Sequence, residues 1–211
     1  MIDMARRLSV VLLAGTLAAC GGAPEQGIAR GKELFDTCVP CHGEAGGGNQ
    51  ALGAPAIAGL PQWYIEAQLA GFQAGHRGYQ AFDTVGIRMK SMSWSLDLEG
   101  DIGSVAEYVA GMTAVLSAPV LTGGDPAAGA VTWGTVCAAC HGPDAAGNET
   151  LRAPPLAGHA DWYVVTQLRK FRDGWRGTHS GDGWGAVMRA NAIHLDDAAI
   201  ANVAAYIQTL R

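Results

Sequence analysis

The chain has 211 residues, 49% of them hydrophobic and only 16% charged, with a formal net charge of −5. That balance describes a globular protein and excludes a disordered one. The acidic surplus excludes a nucleic-acid-binding module, and the length suits either one large domain or two small ones.

At the N-terminus, Arg6 and Arg7 precede an apolar run from Leu8 to Ala19 that is too short for a permanent membrane span. Residues 1–19 therefore read as an export signal. The run ends Leu17-Ala18-Ala19-Cys20-Gly21, which resembles the bacterial lipobox, where cleavage leaves a lipidated cysteine at the new N-terminus. Cys20 is the expected lipidation site and residues 20–27 the tether; an ordinary secretory signal that leaves a free thiol is the alternative. Losing residues 1–19 removes Arg6, Arg7 and Asp3 and takes the formal charge from −5 to −6. The rest is uneven: residues 20–118 hold 5 basic and 10 acidic side chains, residues 119–211 hold 7 and 8. Such a field orients partners during encounter.

The other four cysteines form two pairs, Cys38/Cys41 and Cys137/Cys140, each in a CxxC followed at once by histidine, His42 and His141. CxxCH is the attachment signature of c-type haem. Two thiols at this spacing reach the two vinyl groups along one porphyrin edge while the adjoining histidine turns back onto the iron. A zinc site is disfavoured because the pairs stand 99 positions apart and each already has its own histidine. A redox dithiol does not need that histidine twice.

The sequence around the motifs repeats at the same offset of 99. Gly43, Asn49, Leu52, Ala54, Pro55 and Gly59 return as Gly142, Asn148, Leu151, Ala153, Pro154 and Gly158, and the match runs on from Trp63-Tyr64 and Arg77-Gly78 to Met89, repeated as Trp162-Tyr163, Arg176-Gly177 and Met188. Two domains by duplication follow, over residues 28–116 and 127–211 with a linker at 117–126. Each copy is expected to begin with a helix running through the haem motif, marked by Gly31, Leu34 and Phe35 or by Gly129, Val131 and Trp133. A Gly/Pro loop follows, then a helix over 61–72 or 160–171. The last helix is marked by Ile102, Val105, Ala106 and Val109, or by Ile200, Val203, Ala204 and Ile207. Tyr108 and Tyr206 are placed to pack back on the first helix.

His42 and His141 are the expected proximal ligands. Met188 is the only methionine after the second motif and matches Met89, so these two are the expected sixth ligands. Met92 is the alternative to Met89, although Asn191 stands at its repeat position. Pro55 and Pro154 each fall 13 residues after the histidine, where a carbonyl can accept the Nδ1 proton and orient the ring; a rigid turn is the plainer reading. Arg77 and Arg176 are candidates to pair with haem propionates, against a solvated loop role. Trp63 and Trp162 read as packing on the porphyrin or in the core. His76, His159, His179 and His194 lack a histidine at the repeat position and read as surface or locally hydrogen-bonded groups.

These motifs resemble class I c-type cytochromes, and the tandem arrangement over residues 28–211 is similar to the di-haem cytochrome c-four type. The resemblance implies an all-α chain of two small helical bundles, each wrapped around one covalent haem c with His/Met-ligated iron. It also implies a periplasmic electron-transfer protein whose redox partners are a dehydrogenase or quinol-oxidising complex on one side and a terminal oxidase or reductase on the other, with no small-molecule substrate of its own. A di-haem redox enzyme of the peroxidase or thiosulfate-oxidising kind, and a fixed haem subunit of a respiratory complex, are the competing readings.

Overall fold

The computed structural model describes residues 26–96 and 99–210. The export signal, Cys20 and most of the expected tether lie outside the described residues. Among those described, every regular element is helical, and no helix is long and apolar enough to cross a membrane.

In the first half, α1 (Ile28–Phe35) is followed by a single turn, α2 (Val39–His42), that holds the haem motif; α3 (Gln62–Gln73), α4 (Thr84–Ser93) and α5 (Asp101–Ala110) complete the bundle. The second half repeats the order with α6 (Pro126–Thr132), α7 (Ala138–His141), α8 (Asp161–Arg172), α9 (Gly183–Ala192) and α10 (Asp197–Ile207). The expected single helix through the motif is thus interrupted. In the first half the break falls at Asp36–Cys38, and in the second a π-helical turn over Trp133–Cys137 widens the backbone. Val131 faces outward at 69% exposure; of the three markers Gly129 is buried on α6 and Trp133 in the π-helical turn that follows it.

First and last helices cross tightly in each half because a glycine sits at the crossing. A Cβ on Gly31 would come within 2.0 Å of the Ser104 carbonyl oxygen, and one on Gly129 equally close to that of Asn202. No side chain fits there, so the backbones touch directly. Aromatic pairs close the same seams as expected: Phe35 against Tyr108 at 5.5 Å between centroids, and Trp133 against Tyr206 at 6.1 Å. Leu34, Phe35, Leu69, Val105 and Val109 form the first core; Trp133, Leu168, Phe171, Ile200, Val203 and Ile207 form the larger second one.

α4 and α9 are the helices that hydrophobic periodicity does not announce. Each begins at an aspartate cap: Asp83 Oδ1 accepts the Gly86 N–H at 2.8 Å, and Asp182 Oδ1 accepts that of Gly185 at 2.8 Å. Such caps satisfy a helix-terminal donor and stabilise a start by about 1 kcal/mol. The segment between the halves is pinned rather than loose, since Asp161 Oδ2 accepts the N–H groups of Val120 and Leu121 at 2.9 and 2.8 Å.

Candidate functional site

Each CxxCH turn ends at a buried histidine whose orientation is set by the following loop. Asn49 caps a short 3-10 turn and pairs with Ala54. Ile57 and Ala58 both donate to the Gly46 carbonyl. This folding brings the Pro55 carbonyl oxygen to 2.9 Å from His42 Nδ1, and in the second half the Pro154 oxygen to 2.8 Å from His141 Nδ1. A carbonyl only accepts, so Nδ1 carries the proton and Nε2 is left as the lone-pair donor. Burial pushes both imidazoles below their ordinary value, and the carbonyl bond opposes it in part. Both rings are therefore held neutral, the form that binds a metal.

A cavity opens beside each motif. The first, of about 600 Å³, is lined by Cys38, Cys41 and His42 at one end and by Met89 and Met92 on α4. The second, of about 200 Å³, is lined by Cys137, Cys140 and His141 and by Met188 on α9. None of the four cysteines is tied up in a disulfide, so all are available to a cofactor. Met89 and Met188 occupy the same place in the two halves, and each packs against its own core. Met92, one turn further along, is 41% exposed.

The two cavities meet. Tyr64, Gln68, His159, Tyr163 and Gln167 line both, at a seam with approximate two-fold symmetry. Arg77 donates to Gln68 of its own half and to Gln167 of the other at 3.2 Å. Arg176 mirrors it, donating to Gln167 at 2.7 Å and to Gln68 at 3.4 Å. Each guanidinium also lies over a phenylalanine ring, Arg77 on Phe72 at 4.3 Å and Arg176 on Phe171 at 4.2 Å. Tyr79 meets Thr178, its own repeat partner, by a hydroxyl hydrogen bond.

Arg176 is buried, its Nε has no partner, and burial together with the nearby Arg77 brings it down to about 10. Between the arginines, burial and Tyr163 push Tyr64 up to about 12. Burial acts on Tyr163 in the same sense, but Arg77 and Arg176 outweigh it and lower that phenol. One buried and one half-buried cation, with an orphaned donor on the buried one, fit haem carboxylates reaching the seam from either cavity. The arginines are accordingly not solvated loop residues.

Other sequence expectations shift. Trp63 and Trp162 belong to the seam rather than to the core of their own half. Trp162 lines the cavity of the first half, and Trp63 lies under Arg152 of the second at 5.7 Å. Of the two readings of His159, the locally hydrogen-bonded one holds: it is 6% exposed, held by the Pro155 carbonyl, with its ring tilted against Tyr163. His76 and His179 stack on each other across the seam at 4.9 Å. His194 is exposed.

A family model described as cytochrome c matches residues 28–113 and again residues 126–211. The chain belongs to the cytochrome c family, as two tandem copies of its domain. Within that family it is similar to the di-haem cytochrome c4 of Azotobacter vinelandii, at 31% identity over 96% of this chain and 98% of that protein. It is equally similar to a thiosulfate dehydrogenase electron acceptor of Thiomonas intermedia, at 31% identity over 93% of this chain and 89% of that one. Among solved structures, reduced cytochrome c4 from Pseudomonas stutzeri superposes with a TM-score of 0.68 at 27% identity, covering 89% of this chain and all of that one. The thiosulfate dehydrogenase TsdBA of Marichromatium purpuratum superposes with a TM-score of 0.70 at 30% identity, over 86% of this chain but 40% of that one. The chain carries two covalent haem c groups and is an electron-transfer protein rather than an enzyme.

Proposed function

We propose that this chain is an exported relay, tethered to a membrane through lipid on Cys20, which passes single electrons in the periplasm from a dehydrogenase or quinol-oxidising complex to a terminal oxidase or reductase. In this reading Cys38 and Cys41, and likewise Cys137 and Cys140, are the thioether cysteines. His42 with Met89 and His141 with Met188 ligate the two irons. Haem supplies the chemistry, a one-electron change at iron. The protein's part is orientation: the carbonyls of Pro55 and Pro154 fix the histidine rings, α4 and α9 present the methionines, and Arg77 and Arg176 compensate carboxylate charge at the seam.

The observation that carries the reading is the meeting of the two cavities on five shared side chains. An electron entering one half has its exit adjacent, with protein packed between the sites in place of solvent. A relay needs that arrangement, whereas two independent catalytic centres do not. The relatives' names point to a donor of the thiosulfate dehydrogenase class, since one is described as that enzyme's electron acceptor.

Rapid mixing tests it. Purified full-length protein should be reduced at both haems by thiosulfate plus a thiosulfate dehydrogenase, then reoxidised by oxidase-containing membranes. Reduction confined to one haem, or absent with every dehydrogenase tried, contradicts the relay. For the tether, Cys20→Ser should move the protein from the membrane fraction to the soluble one.

A further inference from the structure

The seam is symmetric in its arginines, glutamines and tyrosines but not in its ion pairs. Lys170 on α8 extends across from the second half and places Nζ 2.7 Å from Asp83 Oδ1 of the first. The two side chains are 10% and 5% exposed. The repeat partner of Asp83 is Asp182, but the position matching Lys170 is Gly71; among the described residues no lysine pairs with the second cap, whose electrostatic partner is Arg176 of its own half. Phe82, next to Asp83 in the chain, lies near Trp175 at 5.8 Å between centroids, and Gln80 donates to the Gly174 carbonyl at 3.4 Å. The opposite edge has His76 against His179 instead.

Asp83 is also the cap of α4, where the same Oδ1 accepts the Gly86 N–H. Two turns along that helix stand Met89 and then Met92. One carboxylate oxygen therefore joins a cation of the second half to the start of the helix that presents the first half's methionine. A buried ion pair that loses one partner leaves an uncompensated charge, and the group that remains must move or recruit water.

We propose that Lys170 is a positioning residue for the methionine ligand of the first haem. Through Asp83, the second half holds α4 in register, so closed coordination at the first iron depends on docking of the second half. The second iron has no reciprocal dependence, because among the described residues no cation of the first half pairs with Asp182, the cap of α9, which interacts with Arg176 of its own half. The inference rests on the reading that Met89 is that ligand. Loosening the clamp leaves the first iron more open to an added ligand while the second stays closed.

Imidazole titration of the full-length di-haem protein, followed by loss of methionine-to-iron absorption, reads this directly. The first haem is identified as the one that loses that absorption in Met89→Ala. In Lys170→Met, imidazole should bind the first haem about tenfold more tightly than in the unaltered protein, with the second haem unchanged. Lys170→Arg should restore most of the original resistance. The double variant Lys170→Met with Asp83→Asn keeps a capping side chain and strands no charge; it should stay sensitive, which separates the clamp from a buried-charge defect. Unchanged affinity in Lys170→Met, equal changes at both haems, or full recovery in the double variant overturns the inference. If Met89→Ala leaves both methionine absorptions intact, the ligand reading itself fails and the inference falls with it.

Discussion

His42 Nδ1 lies 2.9 Å from the Pro55 carbonyl oxygen, and the pair recurs as His141 and Pro154 at 2.8 Å. The bond fixes the tautomer and leaves Nε2 as the lone-pair nitrogen; in the proposed reading it would make the imidazole a stronger donor to iron. Its acceptor is a backbone atom, so Pro55→Ala keeps the oxygen but loosens the turn that holds it. The expected result is a low-spin haem with a broadened or shifted potential, read by redox titration. Complete loss of haem from Pro55→Ala would mean that the proline does something other than position the carbonyl.

Methionine substitutions divide the sixth-ligand assignments. Met89→Ala and Met188→Ala should each remove the methionine-to-iron absorption of one haem and leave the other intact. Met92→Ala should leave both, since Met92 is 41% exposed while Met89 packs on the core. Loss of the first haem's absorption in Met92→Ala, with Met89→Ala silent, would reverse the assignment.

The seam arginines are expected to hold haem potentials up by compensating the carboxylates' negative charge and opposing the ferric charge. Arg176→Met should lower the potential of the second haem by roughly 30–60 mV, where 59 mV is a tenfold change for one electron. A potential that stays put or rises in a spectroelectrochemical titration contradicts a charge role for Arg176.

His159 gives the fold an acid-sensitive component. Burial pushes it down to about 4, against its bond to the Pro155 carbonyl. The folded histidine stays neutral while the unfolded chain takes up a proton near pH 6.5, so stability is complete above about 6.5 and is lost as the pH falls toward 4. The loss approaches about 3 kcal/mol at the acid end. His159→Leu, which copies Leu60 of the first half, should flatten that slope in denaturant unfolding at pH 7 and pH 4.5. An identical slope in the variant would show that other groups carry the acid sensitivity.

The helix crossings should tolerate no side chain. Gly129→Ala places a methyl group within 2.0 Å of the Asn202 carbonyl oxygen, and the backbone must separate to admit it. A destabilisation of about 1–3 kcal/mol or more is expected from denaturant unfolding. A neutral effect would mean that α6 and α10 slide apart easily.

How much of this was legible in the sequence depended on whether a residue's role was local. CxxCH, the proline 13 residues on and the last helix's spacing are set within one copy, and each keeps its meaning there. α4 and α9 were hidden because Gly86, Ser91 and Ser93, or Gly185 and Asn191, blur any apolar stripe; the caps Asp83 and Asp182 were their remaining signal. The seam was hidden for a different reason. Gln68 looks like a solvated polar residue, and Arg77 reads as a propionate partner or a solvated loop group, until Arg176 and Gln167 are brought opposite them; one copy's periodicity carries no information about the other copy's position. His159 did leave a trace: its repeat partner is Leu60, and a site that is apolar in one copy is apt to be buried in both.

Spectra of the purified full-length protein, oxidised and reduced, with a redox titration and added carbon monoxide, test the central claim most directly. Two low-spin haems with methionine-to-iron absorption from both, two one-electron steps and no carbon monoxide binding are the predicted result. A high-spin or five-coordinate haem that binds carbon monoxide in either half would contradict a relay with both irons closed.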